Sequence, residues 1–122
     1  MSGRALVVLG ALSGAVAVVA GALGAHALDG LEPPARSAFE TGARYHLVHS
    51  VMICLVGVWQ ESARRSALAI AGWTMLAGVV GFSGSLYALA LGAPSWLGPV
   101  TPIGGVALIG SWLCLAYAAW RR

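Results

Sequence analysis

Four long apolar stretches occupy nearly the whole chain, and a chain built that way has to fold inside a lipid bilayer. They run from about Ala5 to Leu28, Tyr45 to Trp59, Ala67 to Leu91 and Ile103 to Trp120. A hydrocarbon core takes roughly 20 mainly apolar residues per helix, so the first, third and fourth stretches span it. The second spans once its amphipathic lead-in is counted. The expected fold is an all-α integral membrane protein, a four-transmembrane-helix bundle with spans at about 5–28, 45–60, 67–91 and 103–120. A short interfacial helix over 35–44 is expected to lead into the second span. With 59% hydrophobic and 9% charged residues, the 122-residue chain holds one membrane domain, 1–122, and no separate soluble one.

The charges orient this bundle. All seven basic residues are arginine. Arg4, Arg64, Arg65, Arg121 and Arg122 fall on one side of a four-span chain, whereas Arg36 and Arg44 share the other with Asp29, Glu32 and Glu40. Cytoplasmic loops keep positive charge, so both termini are expected in the cytoplasm, with the chain in a bacterial inner (plasma) membrane. The net charge of +3 therefore reflects orientation. No interleaved basic and aromatic surface of the kind that binds nucleic acid is present, and the expected partner is the lipid bilayer. The N-terminus imitates a signal peptide, with Arg4 before an apolar run and Ala25-His26-Ala27 as a small-residue cleavage site. The run is longer than the ~7–15 residues of a signal core, and a retained helix is expected. Cys54 and Cys114 fall inside spans without a Cys-x-x-Cys pair and read as buried free thiols.

Small residues recur along two of the stretches. In the first they are Gly3, Gly10, Gly14, Ala17, Gly21 and Gly24, and in the third Ala67, Ala71, Thr74, Gly78, Gly81, Ser85 and Ala88. Steps of three and four, broken only by Val7 between Gly3 and Gly10, put each set on one helix face, where backbones can approach closely. Gly10, Gly14, Gly21, Gly78 and Gly81 are thus candidate packing positions, and helices 1 and 3 a candidate packing spine. The partner is either another helix of this chain or another copy or subunit, so a homo-oligomer or larger membrane complex is open. Between helices 1 and 2, Asp29-Gly30 marks a turn, and Glu32-Pro33-Pro34 starts a helix carrying Arg36, Glu40 and Arg44 at four-residue steps. The third loop holds Pro94, Pro99 and Pro102 and no charge, with Trp96 expected in the outer aromatic belt and Trp59 and Trp120 in the inner one.

The candidate site gathers at the outer end. About 100° per residue brings Gly42, His46, His49, Ile53, Gly57 and Gln60 onto one stripe of helix 2. Polar side chains are costly in hydrocarbon, so that stripe faces the protein interior or a water-filled cavity. His26 closes helix 1 at the same level, helix 3 adds Ser83, Ser85 and Tyr87, and helix 4 begins at Thr101. Two readings stand side by side. In one, His26, His46 and His49 hydrogen-bond across helices to backbone carbonyls, Tyr87, Ser85 or Thr101. In the other they bind a transition metal, haem or a quinone headgroup, since neutral imidazole suits copper, zinc, nickel and iron. His26 points almost opposite the small-residue stripe on an ideal helix, and needs a bent end at Gly24 to turn inward. No nucleophile-base set supports a catalytic residue, and the weight falls against an enzyme. Small-solute transport is weaker still, because no acidic residue lies within a span. The leading function is a structural or accessory membrane component.

Four blocks carry a family resemblance: Gly21-Ala22-Leu23-Gly24-Ala25-His26-Ala27-Leu28, the run from Phe39 to His49, Phe82-Ser83-Gly84-Ser85-Leu86-Tyr87, and Leu97 to Gly105. Together, in this order and over almost the whole chain, they resemble the small membrane proteins called domain of unknown function 423, which include transmembrane protein 256-like relatives. The resemblance implies a multi-span inner-membrane protein and brings no catalytic assignment. Leu23 stands where the family often has an aromatic before its Gly-Ala-His element.

Overall fold

The computed structural model describes residues 2–121, and within them four helices follow one another: α1 Gly3–His26, α2 Pro33–Ala63, α3 Ser66–Ala90 and α4 Val100–Trp120, the last preceded by a short 3-10 turn at Ser95–Leu97. By length and composition α1, α3 and the segment Ser95–Trp120 are apolar enough to cross a membrane. Local chemistry sets the ends. The Ser2 hydroxyl accepts from the Ala5 amide at 3.3 Å, and the Glu61 carboxylate accepts from the Arg4 amide at 2.6 Å. Two of the unpaired amides that open α1 are thereby satisfied. Pro33 and Pro34 occupy the first turn of α2, where a missing amide costs nothing. α2 stops at Arg64, in the left-handed region at φ 51°, and Gly92 at φ 98° follows the end of α3.

Helix α2 is unbroken. The segment expected as a separate interfacial helix forms its first turns, and the 31 residues reach roughly 46 Å against a hydrocarbon core of about 30 Å. The reason lies in packing. Phe39 is buried with Ala20 and Ala90 and meets the Tyr87 ring at 4.8 Å, so α1 and α3 grip the lead-in and hold it in line with the rest of α2.

Each helix packs along its neighbour in sequence, α1 on α2, α2 on α3 and α3 on α4, while α1 and α3 meet only slightly. The two small-residue stripes therefore serve different pairs. A Cβ on Gly3 would strike the carbonyl oxygen of Gly57, and one on Gly10 would lie 2.8 Å from the Cys54 sulfur, so the stripe of α1 seats α2. One on Gly78 would lie 2.8 Å from Leu108, and one on Gly104 would run into the amide nitrogen of Phe82, so the stripe of α3 seats α4. Gly14 leaves 3.7 Å to Ser50, and Gly21 faces open space. Leu6, Ile53, Val56, Leu68, Met75, Val79, Leu108 and Leu115 fill the core.

The antiparallel order brings both described ends of the chain to one end of the molecule. There the Arg65 guanidinium donates to the carbonyl oxygens of Ala118, at 2.7 Å, and of Arg121, closing the last turn of α4. Arg4, Arg64, Arg65 and Arg121 share this end, and Arg122 lies outside the described residues. At the opposite end Arg36 pairs with Asp29 at 2.9 Å and with Glu40 at 3.7 Å.

Candidate functional site

Polar side chains line the inner face of α2. Gly42, His46, His49, Ser50, Ile53, Gly57 and Gln60 are all buried, while Leu47, Val48, Val51, Leu55 and Val58 on the opposite face are 44–64% exposed. The helix is inside out relative to one in water, which suits a lipid surround.

The hydrogen bonds around His46 can be read proton by proton. A carbonyl oxygen only accepts, so Ser50 spends its single proton on the His46 carbonyl at 2.7 Å. Ser13, 2.7 Å from Ser50, then has to donate to it. With its proton used, Ser13 accepts from the His46 Nε2–H at 3.0 Å. Nδ1 is left as the acceptor for the Tyr87 hydroxyl at 2.9 Å. One neutral imidazole thus ties α1, α2 and α3 together, and the circuit runs from Tyr87 back to the peptide of the same histidine.

His49 carries the opposite tautomer. The Trp112 indole nitrogen only donates, so Nε2 of His49 accepts at 3.0 Å, and its Nδ1–H goes to the Tyr45 carbonyl at 2.7 Å. Tyr45 stacks on the ring at 13° with centroids 6.0 Å apart, and Trp112 meets it edge-on at 5.8 Å. This bond joins α2 to α4. Two histidines three residues apart differ by about 60° around a helix, so one looks toward α1 and α3 and the other toward α4.

The remaining candidate residues divide between these ties and the surface. Ser85 bonds the Phe82 carbonyl at 3.0 Å and so accepts from Thr101 at 2.5 Å, linking α3 to α4. Ser83 donates to the Gly42 carbonyl at 2.8 Å. A Cβ on Gly42 would come within 3.0 Å of the Tyr87 ring, so the bare backbone there lets the phenol reach His46. His26 is exposed at the last residue of α1, apart from the other two histidines' bonding. Among the described residues no three of His, Cys, Asp or Glu gather as a group able to hold a metal. Ser13, Ser50 and Trp112 were not singled out from the sequence. Ser13 and Ser50 are hydroxyls within apolar runs, and a buried indole N–H wants an acceptor; those were the available signals.

The sequence profile described as Protein of unknown function (DUF423) matches residues 20–105, a stretch holding His26, His46, His49, Tyr87 and Thr101. The chain belongs to the DUF423 family. This DUF423 chain is 40% identical over 118 residues to the UPF0382 membrane protein YwdK of Bacillus subtilis, covering 95% of itself and 96% of that protein. A UPF0382 membrane protein of Staphylococcus epidermidis is 40% identical over 119 residues, with 97% of each chain covered. One from Haemophilus influenzae is 38% identical over 113 residues, covering 91% of this chain and 90% of its own. No solved structure matches. The DUF423 chain is a membrane protein of helices, and none of these relatives' names gives it a reaction.

Proposed function

We propose that the chain is a structural or accessory component of a bacterial cytoplasmic membrane, crossing it four times with both termini in the cytoplasm, and that its histidines act as interhelical clasps. The observation that carries this reading is the full occupation of both rings. All four nitrogens of His46 and His49 bond to this chain's own atoms, so a metal, haem iron or quinone could claim them only by breaking ties between helices. Hydrogen bonds of this kind contribute about 0.6–2 kcal/mol each in a membrane, enough to set register without chemistry. The orientation rests on the arginine bias and the packing role on the close glycine contacts, which also leave lipid-facing surfaces free for a second copy or a larger complex.

The test is metal analysis and visible spectroscopy on protein purified without a histidine tag, beside His46→Ala/His49→Ala. The expected result is no stoichiometric metal or chromophore, with a double variant that melts at lower temperature. A bound metal or haem lost in the double variant overturns the clasp reading in favour of a ligand site. For orientation, a cysteine at Ser95 should react with an impermeant thiol reagent from outside intact cells. Reaction only after the cytoplasm is opened reverses the topology.

A further inference from the structure

A cavity lies away from the histidines, at the arginine end. It is a cleft of about 760 Å³ between the start of α1, the end of α2 and the first half of α3. Its rim is polar and charged, with Glu61, Arg64 and Ser66, and its deeper wall holds Ile70, Trp73 and Thr74. From Ser66 to Trp73 the helix rises roughly 10 Å, so the cleft runs from a charged mouth into the apolar zone.

Three features of the cleft ask for an occupant. Arg64 sits at φ 51°, a backbone region that costs a side chain other than glycine about 1–2 kcal/mol, and its guanidinium has no carboxylate partner within bonding range among the described residues. The single acid on the rim, Glu61, is already bonded to the Arg4 amide at 2.6 Å. Trp73 has a buried indole N–H with no acceptor. Four arginines against one glutamate make this end electropositive, and the opening turn of α3 adds unpaired amides to the same side.

We infer that the cleft binds an anionic glycerophospholipid from the adjoining leaflet, its phosphate at Arg64 and Ser66, its ester region beside Trp73 and Thr74, and its chains along Ile70. A free phosphate would use the rim alone. A lipid uses the rim and the apolar wall together. The inference rests on the membrane-spanning reading above but not on which leaflet is cytoplasmic.

Native mass spectrometry of the full chain from detergent micelles tests it, with phosphatidylglycerol, phosphatidylcholine and sn-glycerol 3-phosphate as probes. Phosphatidylglycerol should be retained several-fold over phosphatidylcholine, and glycerol phosphate should neither bind nor compete. Arg64→Gly is the informative variant because it removes the guanidinium and relieves the backbone. It should melt higher than the parent yet lose retention by about tenfold, the size expected for one charge-assisted bond. Trp73→Phe should lose a smaller factor, and Arg36→Gln at the opposite end none. Equal retention of the two lipids, undiminished retention in Arg64→Gly, or competition by glycerol phosphate overturns the proposal. The Ser95 labelling fails or succeeds independently of all three.

Discussion

Trp112 donates its indole N–H to Nε2 of His49 across 3.0 Å, joining α4 to α2 although the backbones of those helices barely meet. Because Nδ1–H of the same ring is held by Tyr45, His49 cannot change partner without leaving an atom unsatisfied in a buried position.

Trp112→Phe keeps the ring's apolar bulk and removes the donor. It should destabilise the chain by about 1–2 kcal/mol, read as a lower melting temperature in detergent. Trp96→Phe, at a residue 70% exposed, is the control and should leave the melt unchanged. Identical melts for the two variants would show that the bond contributes nothing.

Ser13 accepts one bond and donates another, whereas Tyr87 supplies one to the same histidine. Ser13→Ala should therefore cost more than Tyr87→Phe, roughly 1–3 kcal/mol against about 1 kcal/mol. Unfolding of the two single variants and their double measures the order. A larger loss from Tyr87→Phe contradicts the two-bond role of Ser13.

The glycines separate by what surrounds them. Gly104→Ala places a methyl group against the Phe82 backbone and should cost about 1–3 kcal/mol, while Gly21→Ala enters open space and should be neutral or stabilising by about 0.5–1 kcal/mol. Gly78→Leu with Gly81→Leu should part α3 from α4 more severely. Thermal unfolding in detergent and in lipid reads all three.

Arg65 bonds two carbonyls at the end of α4. Arg65→Gln should fray that end alone, at a cost of about 0.3–1 kcal/mol, with faster hydrogen exchange over the last turn before Arg121 and no change in α1. Exchange that rises equally in α1 would indicate global loosening instead.

Much of the architecture is legible in the sequence. Apolar length gave the four helices, and the 100° step gave the buried stripe from Gly42 to Gln60 on α2. The continuity of α2 was not legible, because Arg36, Glu40 and Arg44 read as a surface segment while the deciding contacts, Phe39 on Ala20 and Tyr87, are tertiary. The small-residue stripes disclosed close approach but not its partner: a groove of glycine fits any helix, and only packing tells that α1 seats α2 and α3 seats α4. At the site, Tyr87, Ser85, Thr101 and backbone carbonyls are legible as partners for the histidines without saying which pairs with which: His46 takes Tyr87, Ser85 takes Thr101 instead of a histidine, and His26 lies exposed. Ser13 and Trp112 were missed because a lone hydroxyl or indole in an apolar run looks like many others. The cleft at the arginine end left no motif, since its residues come from three helices.

The packing of each helix on its immediate predecessor has a consequence for biogenesis. A chain that leaves the ribosome from its N-terminus presents each helix after the first with a partner already in place, so no later helix has to find its main partner in a segment yet to be made. Assembly then proceeds one hairpin at a time, and the bonds from Trp112 to His49 and from Arg65 to the end of α4 form only as the final helix arrives, fastening a scaffold the first three have built.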